Sequence, residues 1–171
     1  GHIDDNIEDF SEIGTYEQRN QLFKNRGDGT FEEVGFHSGS GLQLYKVSRG
    51  MAHGDLDNDG DLDIVITNLN QKLDILRNDG GNEKNWLAIK CIGRKSNRDA
   101  IGTRIRVKTE ETTQIREVRS GASYLCQSDL RAYFGLGMAE KAEIEIEWPS
   151  GAKQSFGPVR SNQILLIEEK D

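Results

Sequence analysis

The chain has 171 residues, 30% of them charged and 35% hydrophobic, with a net charge of −7 and a mean hydropathy of −0.68. That is enough chain for one ordinary domain or two small ones with a buried core. No apolar run approaches the ~20 residues of a membrane-spanning helix, and the acidic balance argues against nucleic acid as a partner.

The charge is uneven. Residues 1–80 carry 16 acids and 7 bases, a net −9, while residues 81–171 carry 13 acids and 15 bases, a net +2. The shift coincides with a change of texture at Gly80-Gly81-Asn82 and predicts a domain boundary there, dividing the chain into 1–80 and 81–171. Gly1-His2-Ile3-Asp4-Asp5 lacks the basic and apolar regions of a signal peptide, so an export address is expected upstream.

In chain order, the apolar stretches are short, β-branched and bounded by Gly, Asn or Asp. They predict strands over 21–24, 31–34, 50–54, 63–68, 73–77 and 86–92. Beyond these come 103–109, 114–119, 131–134, 142–148, 153–156 and 163–168. Ile105-Arg106-Val107-Lys108 and Ile144-Glu145-Ile146-Glu147 alternate apolar and charged residues, the pattern of a sheet wetted on one side. An all-β, antiparallel protein is expected. Leu22-Phe23-Lys24-Asn25-Arg26-Gly27 is echoed 53 residues later by Ile75-Leu76-Arg77-Asn78-Asp79-Gly80, a spacing that suits one β-propeller blade.

Between the strands 50–54 and 63–68 lies Asp55-Leu56-Asp57-Asn58-Asp59-Gly60-Asp61-Leu62-Asp63. Carboxylates at every second position repel one another unless a hard cation gathers their oxygens, and Ca²⁺ takes six to eight oxygens at roughly 2.3–2.6 Å. Asp55, Asp57 and Asp59 can each give a side-chain oxygen, Asp61 its carbonyl, and Asp63 a closing carboxylate. Gly60 permits the turn. An EF-hand requires Glu at loop position 12, where Ile66 stands, and the loop leads into a β-branched run rather than a helix. A plain solvated turn has no use for such an alternation of acids.

The stretch from Arg49 through Asp63-Ile64-Val65-Ile66-Thr67-Asn68 to Leu76-Arg77-Asn78 resembles an FG-GAP/VCBS-type propeller repeat. Asn20–Phe31 looks like the closing strands of the preceding blade. The second half is similar to the ASPIC/UnbV domain of the cartilage acidic protein-like bacterial family. The matching segments are Asn85-Trp86-Leu87, Ser96–Arg104, Gly121-Ala122-Ser123-Tyr124-Leu125, Phe134-Gly135-Leu136-Gly137 and Trp148-Pro149-Ser150-Gly151. The resemblance implies about one and a half propeller blades followed by a small antiparallel β-sandwich or barrel-like domain. It further implies that Asp55, Asp57, Asp59, Asp61 and Asp63 bind Ca²⁺, and that upstream blades of a longer parent chain complete the ring. At Cys126 the family pattern leads one to expect Ser.

Other motifs point to structure rather than chemistry. Arg26-Gly27-Asp28 spells an integrin-recognised tripeptide but falls where a hairpin turn favours those residues. His2, His37 and His53 have no metal-ligand spacing, and no nucleophile, base and oxyanion set assembles, so no enzyme is expected. Cys91 and Cys126 either pair across neighbouring strands in an oxidising compartment or stay separate thiols. The expected function is a non-catalytic, calcium-stabilised module for binding an extracellular protein or glycan, secreted or at the cell surface, with a periplasmic setting also open. The alternative is a carbohydrate-binding accessory domain of a secreted polysaccharide-processing enzyme. That version needs Trp86, Trp148 and the basic residues Arg94, Lys95, Arg98, Arg104, Arg106 and Lys108 exposed on one face.

Overall fold

A computed structural model describes residues 1–12 and 14–170. It is all-β, with short 3-10 turns at Ile7–Asp9, Gly35–His37 and Ser40–Gln43 and no α-helix among the described residues. The strands are β1 (Gln18–Arg19), β2 (Phe23–Asn25), β3 (Phe31–Glu33), β4 (Tyr45–Lys46), β5 (Ser48–Gly54), β6 (Asp63–Asn68) and β7 (Gln71–Leu76). They are followed by β8 (Asn85–Ile92), β9 (Arg104–Lys108), β10 (Thr113–Glu117), β11 (Ala132–Gly137), β12 (Lys141–Glu147), β13 (Lys153–Arg160) and β14 (Gln163–Glu168). Each of the expected strands has an observed counterpart. The two-residue strands β1 and β4 are additions, too short to show a period.

The chain forms two compact units: Gly1–Met51 with Val65–Leu76, and Ala52–Ile64 with Arg77–Asp171. In the first, β1 pairs with β4 and β2 with β3, both antiparallel. β5, β6 and β7 form a three-stranded sheet in that order. Leu42, Val47 and Ile66 are buried, whereas Phe23, Phe31, Leu73 and Ile75 are exposed. Polar clamps do much of the ordering: Arg19 forks onto Glu33 at 2.8 and 3.1 Å, and Lys46 pairs with Asp74.

The second unit contains two sheets, β10-β9-β12-β13 and β11-β8-β14. The alternation read from the sequence is realised in β9 and β12, whose residues are buried and exposed by turns. Their inner residues Ile105, Val107, Ile144 and Ile146 share one core with Leu87, Ile89 and Cys91 of β8 and Phe134 of β11. Burying each such aliphatic side chain contributes about 1.5–3 kcal/mol. One ladder departs from the antiparallel expectation: β14 runs parallel to β8, with Gln163 opposite Leu87 and Glu168 opposite Ile92. β13 also runs on to Arg160, past Gly157-Pro158, beyond the expected stop at 156. Proline is tolerated there because β13 is an edge strand.

Candidate metal centre

The acidic loop joins Gly54, the last residue of β5, to Asp63, the first of β6, and lies within the second unit. Its turn depends on two residues in the left-handed region, Asn58 at φ 59° and Gly60 at φ 101°, which Asn tolerates and Gly adopts freely. Gly60 is required for a second reason: a β-carbon there would lie 1.9 Å from the Trp86 ring.

Backbone N–H groups aim the carboxylates. Those of Asp59 and Gly60 donate to Asp55 Oδ1 and Oδ2, each at 3.1 Å. Those of Leu56 and Asn78 donate to Asp63 Oδ2 and Oδ1, each at 2.9 Å. Thus Asp55 folds the loop over itself, while Asp63 ties the loop's start to the chain beyond β7.

The result is a cluster. Oxygens of Asp55, Asp57 and Asp63 all lie within 4.8 Å of one another, about twice a Ca²⁺–oxygen distance and so the span two ligands of one ion can have. Asp55 and Asp63 are buried and Asp57 is exposed. Asp59 and Asp61 stand outside this triad. Asp59 Oδ1 accepts the Asp61 N–H at 3.1 Å, and the Asn82 amide donates to the Asp59 carbonyl at 3.1 Å. Asp61 Oδ2 accepts the Gly81 N–H at 3.1 Å, while its buried Oδ1 has no hydrogen-bond partner among the described residues. Burial first, and then the charge of Asp59, raise the Asp61 carboxyl above its ordinary range.

Three of the five acids are almost inaccessible: Asp55 is 3%, Asp61 3% and Asp63 1% exposed. A buried carboxylate costs several kcal/mol unless a counter-charge accompanies it. Among the described ion pairs none involves these five residues. The donor set is all oxygen, negatively charged and convergent. It fits a hard divalent cation.

The order of domains is decided by comparison. Residues 4–66 match the FG-GAP-like repeat, and residues 93–171 match the ASPIC and UnbV family. The chain carries an FG-GAP-like repeat followed by an ASPIC and UnbV domain. It is similar to "Cartilage acidic protein 1" of Mus musculus, 29% identical over 158 residues, covering 86% of this chain and 24% of that protein. The Homo sapiens protein of the same name is 30% identical over 157 residues, covering 87% and 23%, respectively. That of Xenopus tropicalis is 33% identical over 107 residues, covering 60% and 16%. The chain therefore spans under a quarter of the length of these curated relatives.

Several residues around the loop escaped the sequence reading. Arg131, just ahead of β11, donates from Nη2 to the Asp55 carbonyl at 2.9 Å and from Nη1 to Asn58 Oδ1 at 2.8 Å. Nothing local in Asp129-Leu130-Arg131 announces a partner more than seventy positions upstream. Trp86 is half-buried and packed against Gly60.

The remaining candidates fall to structural roles. Arg26-Gly27-Asp28 forms the β2–β3 turn, where Asp28 Oδ1 accepts the Thr30 hydroxyl at 2.6 Å and N–H at 2.9 Å. Those two bonds hold the Asp28 carboxyl below its ordinary range. Cys91 and Cys126 are separate thiols, and burial pushes Cys91 up to about 12. His53 Nδ1 meets Ser128 Oγ at 3.0 Å. Trp148 is only 2% exposed, so it offers no stacking surface. Arg104, Arg106 and Lys108 face Glu147, Glu145 and Glu143 across the β9–β12 ladder, and Arg94 pairs with Glu168. Four of the six basic residues named above thus have an acid paired with them or opposite them, which weakens the case for a polyanion or sugar platform.

Proposed function

We propose that this chain is a non-catalytic calcium-binding module of an extracellular or cell-surface protein, used for adhesion or for binding a protein or glycan. The observation that carries this reading is the convergence of the Asp55, Asp57 and Asp63 oxygens with no matching cation among the described side chains. Those three residues would hold Ca²⁺, while Asp61 keeps a buried oxygen without a hydrogen-bond partner among the described residues and Asp59 shapes the turn. The bound ion supplies charge neutralisation. The chain's own residues do the rest: Asp55 and Asp63 fix the loop's two ends through backbone N–H bonds, and Gly60 lets it turn under Trp86.

Similarity to proteins named for cartilage supports an extracellular setting, and no helix among the described residues is long and apolar enough to cross a membrane. On this reading further propeller blades of a parent chain are partners of the first unit, whose apolar residues Phe23, Phe31, Leu73 and Ile75 are exposed. Thermal melting in EDTA and in excess Ca²⁺ tests the proposal. A ligand at a hundredfold its Kd adds about 2.7 kcal/mol to stability. Calcium should therefore raise the melting temperature by several degrees, and Asp55→Ala should remove the rise. Superimposable curves in EDTA and calcium would overturn it.

A further inference from the structure

We infer that Arg131 is a positioning residue for the acidic loop, acting through Asn58 and the Asp55 backbone, and that it ties cation occupancy to the segment entering β11; the inference rests on the calcium reading above. Three features support this role.

The first is geometry. The Arg131 side chain is only 16% exposed and its guanidinium forks onto the loop, bonding the Asp55 carbonyl at 2.9 Å and Asn58 Oδ1 at 2.8 Å. Asn58 is the left-handed residue between Asp57 and Asp59, so whatever fixes Asn58 fixes the spacing of the acids on either side. Arg131 reaches none of the five carboxylates directly; its contacts shape the loop while leaving the oxygens free for a cation.

The second is charge. An arginine beside a cation site would compete with the ion unless its own charge were already matched. Asp129 matches it, bonding Arg131 Nε, and the Asp129 carboxylate is held in turn by the Arg131 N–H at 2.9 Å and the Tyr133 hydroxyl at 2.9 Å. The planar, five-donor fork of arginine suits this double duty, and lysine lacks it.

The third is the path onward. The Asp129 N–H donates to the His53 carbonyl at 2.9 Å and Ser128 Oγ meets His53 Nδ1 at 3.0 Å, two residues before the loop begins. A β-carbon on Gly54 would lie 3.1 Å from the Asp129 β-carbon. The end of β5 at His53-Gly54 and the segment Ser128-Asp129 leading into β11 are therefore held together, with Arg131 as the member that touches the loop itself. Residues that hold metal ligands in place typically change affinity by 10–100-fold when removed.

The test is a titration with Tb³⁺ as a luminescent substitute sensitised by Trp86, and with Ca²⁺ by calorimetry, alongside hydrogen exchange at 128–133. Arg131→Lys and Arg131→Gln should each weaken Ca²⁺ binding by about tenfold or more and abolish calcium-induced protection of 128–133. If Arg131 variants fold poorly, Asn58→Gly keeps the turn and removes the amide contact. It should weaken binding several-fold, with little further loss when combined with Arg131→Lys. A lowered melting temperature with unchanged Ca²⁺ affinity would overturn the positioning role and leave the calcium reading standing. A wild-type chain that binds neither ion would overturn both.

Discussion

Trp86 occupies the space that a side chain on Gly60 would need, its nearest ring atom lying 1.9 Å from that β-carbon position. The indole at the start of β8 and the apex of the acidic loop are one packing unit, and Gly60 also sits at φ 101°. Gly60→Ala therefore meets two penalties at once, a left-handed backbone and a clash with a ring. It should destabilise the chain by more than about 2 kcal/mol and shift Trp86 fluorescence to the red, read by urea melts with emission detection. Trp86→Leu in the same chain should recover only the steric part. Equal stability of wild type and Gly60→Ala would show that the indole and the loop are not packed together.

The five acids should not be equivalent. Asp63→Asn changes a buried member of the convergent triad, while Asp59→Asn changes a residue whose carboxylate accepts the Asp61 N–H. Asp63→Asn is expected to reduce Ca²⁺ affinity by at least a further factor of about ten over Asp59→Asn, since ligand charge count sets affinity at oxygen sites. Calorimetric titration of the two variants ranks them, and the reverse order would place the cation nearer Asp59.

Glu169 gives a pH prediction. The residue is 3% exposed, and its carboxylate accepts the N–H groups of Arg94, Lys95 and Ser96 at 2.8, 2.9 and 2.7 Å, along with the hydroxyls of Ser96 and Ser150. Burial pushes this carboxyl up, but the bonds from Ser150 and the 94–96 backbone outweigh it and hold it at about 2, against an ordinary 4.5. Because the folded value is the lower one, the stabilisation is complete above pH 4.5 and fades as pH falls towards 2. Wild type should lose stability between pH 5 and pH 3, and Glu169→Gln should be weaker at pH 5 yet flatter across that interval. Parallel urea-midpoint profiles for the two would remove Glu169 as the responsible group.

Ile144 lies at 0% exposure between the two sheets, whereas Leu125 is 89% exposed on a turn. Ile144→Ala should cost about 2–5 kcal/mol and Leu125→Ala less than about 0.5 kcal/mol, both from denaturant melts. Comparable losses would mean that the 119–128 turn is covered in solution.

The charged face of β9 and β12 should not retain sulfated polysaccharide at physiological salt. Replacing Glu143, Glu145 and Glu147 together by Gln leaves Arg104, Arg106 and Lys108 unmatched and should create retention. Arg106 and Glu145 are 3.8 Å apart and exposed, so each pair contributes only about 0–1 kcal/mol and the fold should survive the change. Retention of the wild type would revive the carbohydrate-binding alternative.

The strands and the loop were legible because both are local signals. Ile144-Glu145-Ile146 alternates because one face of β12 is buried, and the acidic loop stands out because its carboxylates recur at every second position, three of them with convergent oxygens. What stayed hidden is non-local. Arg131 reads as the polar first residue of a strand, and only the fold carries it to Asn58. The grip on Glu169 is invisible because backbone N–H groups have no letter in a sequence. The direction of β14 was missed for a related reason: its residues fit a parallel or an antiparallel neighbour equally well.

That direction has a consequence for how the protein is made. β8 holds β11 on one side and β14 on the other, and Asn162, whose Oδ1 accepts the Trp86 N–H, lies 76 positions further along the chain. During synthesis β8 emerges from the ribosome with its second hydrogen-bonding edge bare, and it stays bare until the closing strand is translated. Pairings between such distant segments form slowly. The domain can complete its fold only near the end of its own translation, and it is during that interval that a chaperone has most to protect.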